Sequence, residues 1–347
     1  MNKIQWKNIF YMLEYCVDEL EYCDISNIDF ENVCSTNDLL ARLLCNAFET
    51  LYKNGYLKEY KAEQIITDKP RGKIDIPKSV RAGSIVNSKL VCRVNNMNID
   101  NKLNKIIKST FSILINLRSE KDNRVSKEYL TQLNNYMQMM NGVGYIEISS
   151  RMLDEIKDMP EWYRPIIAIC KLILNDWIAI DKEGKHRVLS LSNRDRLCYI
   201  WEKFIRTLIK KEIVPTYKVT KPIYKFSEQK SINPDIQIYK KSSKSLIIID
   251  CKWYERQEPT SANMYQMVAY TSNISSYHPN KELVGLVIYA TDNKTEQTDL
   301  MTKEKNNINA VIQEWRLNIN QDLEQVKIEL RNIILNALSI EQIGGEH

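Results

Sequence analysis

The sequence is poor in the residue patterns that build zinc sites and disulfide scaffolds. It contains three histidines, and its eight cysteines include no C-x-x-C pair. Zinc sites use closely spaced cysteine and histidine ligands, and disulfide scaffolds are typical of small secreted domains rather than of a chain of 347 residues. We therefore expect neither, and we interpret the cysteines as reduced thiols of a cytoplasmic protein.

Long apolar runs are also missing. The longest candidate, residues 165–180, is interrupted by Lys171, Asn175 and Asp176, whereas a membrane-spanning helix needs about 20 consecutive apolar residues. Residues 1–7 lack the apolar core of a signal peptide. These absences favour a protein that has no membrane partner and a cytoplasmic location.

Charge is distributed unevenly along the chain. The formal net charge is +5, yet residues 201–256 contain 13 Lys/Arg against 6 Asp/Glu. This segment therefore carries an excess of +7, and the remainder of the chain carries −2. Such a basic segment suits a polyanionic substrate, although a solvated surface would have the same composition.

The apolar pattern predicts two domains in an α/β (α+β) architecture. Residues 1–185 show helical periodicity, interrupted by short strands between about residues 64 and 98. Residues 186–347 begin with a helix at about 193–213, and a polar helix at 261–272 and a closing helix at 323–338 follow. The strands of this second half are predicted at residues 216–226, 235–239, 246–253, 283–290 and 310–318. We expect a helical domain with a β insertion, followed by a mixed sheet flanked by helices.

The stretch from Asn233 to Tyr254 predicts a β-hairpin that carries the chemically informative side chains. Apolar and polar residues alternate at 235–239, a polar turn follows, and residues 246–249 form an apolar run. Because strand side chains alternate between the two faces, Asp250 and Lys252 point to the same face. The preceding strand supplies a second carboxylate, Asp235.

Two carboxylates and a lysine in this arrangement are typical of a magnesium-dependent phosphodiesterase. Carboxylate oxygens are ligands that Mg²⁺ prefers, and a lysine beside them positions the attacking water or stabilises charge on the phosphate. Pro234-Asp235 and Asp250-Cys251-Lys252 have the form of the PD-(D/E)xK signature. The alternative is a surface hairpin on which Asp250 and Lys252 form a solvated salt bridge.

Two predicted helices supply supporting residues, each with a structural alternative. Asn263, Gln266 and Tyr270 share one face of the 261–272 helix. That face braces Lys252, contacts DNA, or is an ordinary exposed polar surface. Glu202, in the 193–213 helix, is either a further carboxylate directed at the metal or the salt-bridge partner of Arg206 one turn later.

The sequence as a whole resembles the McrC family, the nuclease subunits of McrBC modification-dependent restriction systems. The resemblance rests on residues 8–15, on the turn at 71–75, on the run from Asp100 to Thr110, on Asp235, Asp250 and Lys252, and on the pattern N-x-Y-Q-x-x-x-Y at 263–270. The Q-x-x-x-Y element, Gln266 and Tyr270 here, is shared with RecB-like nucleases. Glu202 matches a glutamate of many members, whereas Cys251 stands where threonine or alanine is commoner.

The resemblance implies an endonuclease subunit with a PD-(D/E)xK fold in residues 186–347. Asp235, Asp250 and the Cys251 backbone carbonyl would bind Mg²⁺, Lys252 would position the water, and Glu202, Gln266 and Tyr270 would support them. A partner AAA+ GTPase, McrB, would recognise 5-methylcytosine in double-stranded DNA and hydrolyse GTP, with residues 1–185 as the docking domain. The absence of the P-loop pattern G-x-x-x-x-G-K-(S/T) from this chain agrees with a motor on another subunit.

Two other functions remain open at the level of the sequence. The chain could be an interaction subunit whose essential output is activation of the partner's GTPase. It could also be a stand-alone RecB-like nuclease that cuts without a motor. Replacement of Asp235 by alanine should abolish DNA cleavage and leave GTPase stimulation intact if the chain is a nuclease, which separates it from the first alternative. Metal-dependent nicking by the purified protein alone would favour the second alternative.

Overall fold

The chain divides into two units, which the computed structural model describes over residues 5–116, 124–156, 158–175, 178–180, 186–188, 193–225, 231–253, 261–292, 294–301 and 310–339. One, called here the sheet unit, contains Met1–Glu21, Asp29–Leu39 and Leu191–His347. The other, the helical unit, contains Tyr22–Ile28 and Leu40–Ser190. The change of unit after Ser190 lies close to the predicted boundary at 185/186.

The first helix, α1 (Trp6–Cys16), belongs to the sheet unit, although its sequence lies within the predicted N-terminal domain of residues 1–185. Tyr15 of α1 packs edge-on against Phe204, with ring centroids 5.6 Å apart, and Asn8 donates a hydrogen bond of 2.7 Å to the carbonyl of Ile319. Both partners belong to the sheet unit. Residues 5–21, like residues 29–39, therefore belong to the sheet unit, because contacts with distant segments decide where they pack.

The helical unit combines helices with a small antiparallel sheet, as the periodicity predicts. Its helices are α2 (Thr36–Asn54, of which residues 40–54 belong to this unit), α3 (Ile76–Arg81), α4 (Lys102–Asn116), α5 (Lys127–Met139), α6 (Ser150–Asp154) and α7 (Arg164–Asn175). Its strands are β1 (Glu59–Thr67), β2 (Lys73–Ile74), β3 (Leu90–Asn98), β4 (Ile178–Ile180) and β5 (His186–Val188). The first three form a sheet in the order β1-β3-β2, and β4 pairs with β5. The short helix α3 was not predicted, and most of the predicted junction at 179–192 lies outside the described residues.

The run from Asp100 to Thr110, which contributes to the family resemblance, is a buried scaffold within this unit. The Asn104 side chain donates to the carbonyls of Leu57 and Ile99, at 3.1 and 2.8 Å. The Lys108 ammonium is buried and donates to the carbonyls of Met140 and Val143, at 3.1 and 2.6 Å. Buried charge is costly without such partners, so these residues hold the backbone of the unit together.

The sheet unit is built on six strands with helices packed against them. Besides α1, its helices are α8 (Asn193–Leu208), which continues as a π-helical turn over Ile209–Ile213, α9 (Ser261–Tyr277) and α10 (Leu323–Ser339). Its strands are β6 (Lys218–Thr220), β7 (Tyr224–Lys225), β8 (Ser231–Ile232), β9 (Ile236–Tyr239), β10 (Ser245–Trp253), β11 (Glu282–Thr291), β12 (Glu296–Met301) and β13 (Ala310–Asn318). The order in the large sheet is β12-β13-β11-β10-β9-β6, and β7 pairs with β8 apart from it.

The middle of this sheet is parallel and its edges are antiparallel. Strands β10, β11 and β13 run parallel, whereas β9, β6 and β12 pair antiparallel with their neighbours. Every described side chain of β10 except that of Lys252 is buried. Strands that are covered on both faces have nearly continuous apolar sequences, which explains the apolar run at residues 246–249. The predicted mixed sheet flanked by helices is confirmed, and β12 is a strand that the sequence had placed in a polar loop.

Helix α9 lies unusually close to the sheet. A Cβ atom on Gly285 of β11 would come within 2.8 Å of the Met267 side chain of α9, so glycine permits this approach. The apolar face of α9, with Met267, Thr271 and Ile274 buried, thereby fixes which side chains of the helix reach β10. None of the described helices combines the length and apolar character needed to cross a bilayer.

Candidate active site

The predicted hairpin is present and brings its two acidic residues together. Strands β9 and β10 pair antiparallel, with Ile236 opposite Ile249 and Ile238 opposite Ile247. Asp235 directly precedes β9 and therefore lies beside the carboxyl end of β10. Its Oδ2 accepts a hydrogen bond of 2.8 Å from the backbone N–H of Cys251.

Asp250 and Lys252 form a close ion pair on the face that the alternation predicts. The Asp250 Oδ2 lies 2.7 Å from Nζ of Lys252, and Asp250 is 3 % exposed, so the solvated surface salt bridge is ruled out. Burial raises the pKa of the Asp250 carboxyl to about 6, against the attraction of Lys252. Burial therefore destabilises the ionised form of Asp250, and a bound cation would offset that destabilisation.

Lys252 is oriented by the polar face of α9. Its Nζ donates to Oε1 of Gln266 at 3.1 Å, and Nε2 of Gln266 donates to the hydroxyl of Tyr270 at 2.7 Å. Burial lowers the pKa of Lys252, but the nearby Asp250 outweighs this effect, so the net shift is upward. Gln266 thus contacts Lys252, and Asn263, Gln266 and Tyr270 are partly buried rather than fully exposed.

Asn263, on the same face, has a different partner. Its Nδ2 donates to the hydroxyl of Tyr289 at 2.8 Å, and Tyr289 lies opposite Lys252 in the register of β10 and β11. Asn263 therefore ties α9 to the neighbouring strand rather than to the acidic residues. It belongs to the support of the site.

Glu202 makes the salt bridge that its helix position predicts, and it has a second cationic partner. Its Oε1 accepts from Nη1 of Arg206 at 2.8 Å, and both carboxylate oxygens lie 2.9 Å from Nζ of Lys221. Lys221 follows β6 and also lies 3.8 Å from Oδ1 of Asp235. Lys221 thus connects Glu202 of α8 to Asp235.

Lys221 is the residue of the site that the sequence did not reveal. Burial lowers the pKa of its ammonium, while hydrogen bonding and charge from Glu202, with charge from Asp235, raise it and prevail. Nothing in the local sequence distinguishes Lys221 from Lys218 or Lys225. Only the pairing of β6 with β9, in which Thr220 lies opposite Gln237, places the next residue beside Asp235.

The carboxylate oxygens of Asp235 and Asp250 are of the chemical type that binds magnesium. No group of three acidic, histidine or cysteine side chains suited to a metal occurs among the described residues. Asp235 and Asp250 offer hard oxygen ligands, and the buried Oδ2 of Asp250 receives no well-aligned hydrogen bond in the part of the chain that is described. The Cys251 carbonyl accepts only a long contact of 3.5 Å from the thiol of Cys198 among the described side chains.

Comparison with known proteins identifies the family. Residues 1–290 match the family model described as McrBC 5-methylcytosine restriction system component. The chain belongs to the McrBC family. This membership confirms the resemblance inferred from the sequence motifs.

Two relatives illustrate how far the likeness to McrBC proteins extends. The Escherichia coli (strain K12) protein described as type IV methyl-directed restriction enzyme EcoKMcrBC is 25 % identical over 306 residues, covering 82 % of this chain and 85 % of that protein. A half-complex from a tetradecameric assembly of Thermococcus gammatolerans McrB AAA+ hexamers with bound McrC matches with a TM-score of 0.55 and 15 % identity, covering 95 % of this chain and 76 % of that chain. At this identity the second match shows a shared fold.

Proposed function

We propose that this McrBC-family chain is the magnesium-dependent endonuclease subunit of a restriction complex and hydrolyses phosphodiester bonds of DNA. The observation that carries the proposal is the buried Asp250–Lys252 pair with Asp235 beside it on the adjacent strand. Carboxyl groups whose pKa is raised by burial beside a specific charged partner cluster at functional sites. The family membership supplies the biological context of restriction.

Each side chain has a role that follows from its contacts. Asp235 and Asp250, with the Cys251 carbonyl, would hold Mg²⁺, which when bound supplies Lewis acidity towards a phosphate oxygen. Lys252, fixed by Gln266, orients a water molecule and stabilises negative charge on the phosphate. Tyr270 holds Gln266 in place.

The third acidic residue of the site, Glu202, acts indirectly. Glu202 is tied to Arg206 and Lys221, and Lys221 lies between it and Asp235. Glu202 therefore positions Lys221, and through it the charge around Asp235. We assign it no metal-binding role.

We further propose that an AAA+ GTPase of the McrB type is the partner, and that it supplies GTP hydrolysis and recognition of modified cytosine in double-stranded DNA. The solved relative contains McrB hexamers with bound McrC. The helical unit of this chain exposes large apolar side chains on its β insertion: Tyr60, Ile66, Ile76, Val80, Val86 and Met97 are 58 to 88 % exposed. Exposed apolar side chains concentrated in one segment of the sequence, residues 60–97, favour a protein partner.

The proposal is tested by DNA cleavage with the partner, GTP and Mg²⁺. We expect Lys252→Ala to lower the cleavage rate of methylated DNA by at least about a hundredfold, in the range of a removed electrostatic catalyst. The matched control is Lys244→Ala, which removes an exposed lysine before the same strand. Equal cleavage by wild type and Lys252→Ala would refute the catalytic assignment.

The second candidate function is that of an interaction subunit. The exposed apolar residues of the helical unit would bind a partner protein whether or not this chain cuts DNA. The two functions differ in what Asp250→Ala does. A nuclease loses cleavage and keeps stimulation of the partner's GTPase. An interaction subunit keeps DNA cleavage by the complex as well, since another chain would then carry the cut.

A further inference from the structure

A cleft lined by basic residues opens beside the candidate active site in the sheet unit. It has a volume of about 710 Å³ and lies between the end of α8 with its π-helical turn and the edge strand β6. Its lining residues are Arg206, Thr207, Lys210, Lys211, Val219, Thr220 and Lys221. Four of these seven carry a positive charge and none carries a negative one.

The cleft is continuous with the site through two of its cations. Arg206 and Lys221 both contact Glu202, and Lys221 also approaches Asp235. These contacts neutralise Glu202 from the cleft side. Because Arg206 and Lys221 are already paired with these acidic side chains, the positive charge that a chain of phosphates would meet on leaving the site comes from Lys210 and Lys211.

The other two lysines have exposed side chains, and Nζ of Lys211 lies 5.4 Å from the centroid of the Tyr15 ring. Lys210 and Lys211 lie on the π-helical turn and are exposed. Lys211 pairs with Asp18 at 3.0 Å, and that carboxylate is 81 % exposed. Exposed pairs of this kind are worth little, so a phosphate can replace Asp18. Lysines on an edge strand often serve to block pairing with another strand. Lys210 and Lys211 lie on a helical turn, so this structural role does not explain them.

We propose that this cleft binds the DNA backbone next to the phosphodiester bond that is cut. The inference rests on the proposed nuclease function and extends it by assigning a binding surface. Each lysine contact with a phosphate releases a condensed counterion, so binding depends on salt with a slope of roughly −0.9 per contact. The cleft would hold the strand in register while Lys252 faces the reacting phosphate.

The test measures binding of the full-length chain to a fluorescent, unmethylated duplex in EDTA over a range of NaCl concentrations. The variant Lys210→Gln/Lys211→Gln removes two charges of the cleft. The control Lys241→Gln/Lys244→Gln removes two exposed lysines at the β9–β10 turn, at the opposite end of β10 from Asp250. We expect the cleft variant to bind about tenfold more weakly at ~0.1 M salt, with a salt slope smaller in magnitude by roughly 1 to 2, and the control to stay within about twofold.

Equal affinity of the cleft variant and the control, or no binding by the wild type, would overturn the inference. Cleavage with the partner and Mg²⁺ is measured separately, which keeps the two proposals distinct. Charge-dependent binding through the cleft without any cutting contradicts the nuclease function alone. Normal cutting at low DNA concentration by the cleft variant contradicts the proposed DNA-binding role of the cleft and leaves the nuclease function standing.

Discussion

Replacement of Asp250 by asparagine should change how the stability of the metal-free protein depends on pH. Burial raises the pKa of Asp250 from 3.8 to about 6, and the residue is 3 % exposed. Between these two values the folded protein binds a proton that the unfolded chain has lost, so stability falls as pH rises. A difference of roughly two units corresponds to about 3 kcal/mol.

The assay is urea-induced unfolding followed by tryptophan fluorescence, since Trp201 and Trp253 are buried near the site. Asparagine does not titrate, so the stability of the wild type relative to Asp250→Asn should fall by about 2 kcal/mol between pH 4.5 and pH 6.5 and stay level above pH 7. The cost of leaving Lys252 unpaired in the variant is the same at each pH of this range. A matched control is Asp292→Asn, a partly exposed position that follows β11.

Two results would refute this reasoning. A difference between wild type and Asp250→Asn that does not vary with pH would mean that the carboxylate is not strained by burial. Stabilisation of Asp250→Asn by millimolar Mg²⁺ as large as that of the wild type would mean that Asp250 does not bind the ion, because a ligand stabilises only the state that binds it.

Three further predictions concern other parts of the molecule. Lys221→Gln should slow DNA cleavage about tenfold while leaving GTPase stimulation within twofold, because it removes the cation between Glu202 and Asp235; single-turnover cleavage measures this. Lys108→Met should lower the free energy of unfolding by about 2–4 kcal/mol, since two buried carbonyls lose their donor, and denaturant titration measures it. Val80→Ser/Val86→Ser should weaken partner binding about tenfold or more without loss of stability, because both valines are exposed; a pull-down titration compares it with the exposed control Ile328→Ser.

The parts of the fold that local patterns determine were predictable from the sequence. The β9–β10 hairpin follows from alternation and a polar turn, and α2 follows from its ends, where Ser35 accepts a hydrogen bond from the backbone of Asp38 and Gly55 has a φ of +86°. The pairing of Asp250 with Lys252 follows from the strand period. These features depend on neighbours in the sequence.

The parts that distant contacts determine were not predictable. The place of α1 in the sheet unit depends on Phe204 and Ile319, and β12 became a strand because β13 pairs with it. Lys221 reaches Asp235 only because β6 takes the edge position next to β9. In each case the local sequence does not specify the packing partner, which only the folded chain brings into contact.

The central claim is that the carboxylates at the β9–β10 hairpin perform the cut. It is tested most directly by Asp235→Ala in the complex with the partner GTPase, with DNA cleavage and GTP hydrolysis measured in the same reaction. We predict that cleavage falls at least about a thousandfold, in the range of lost catalytic groups, while the stimulated GTPase rate stays within twofold of wild type. Undiminished cleavage, with Asp235 absent and GTP hydrolysis intact, would contradict the account.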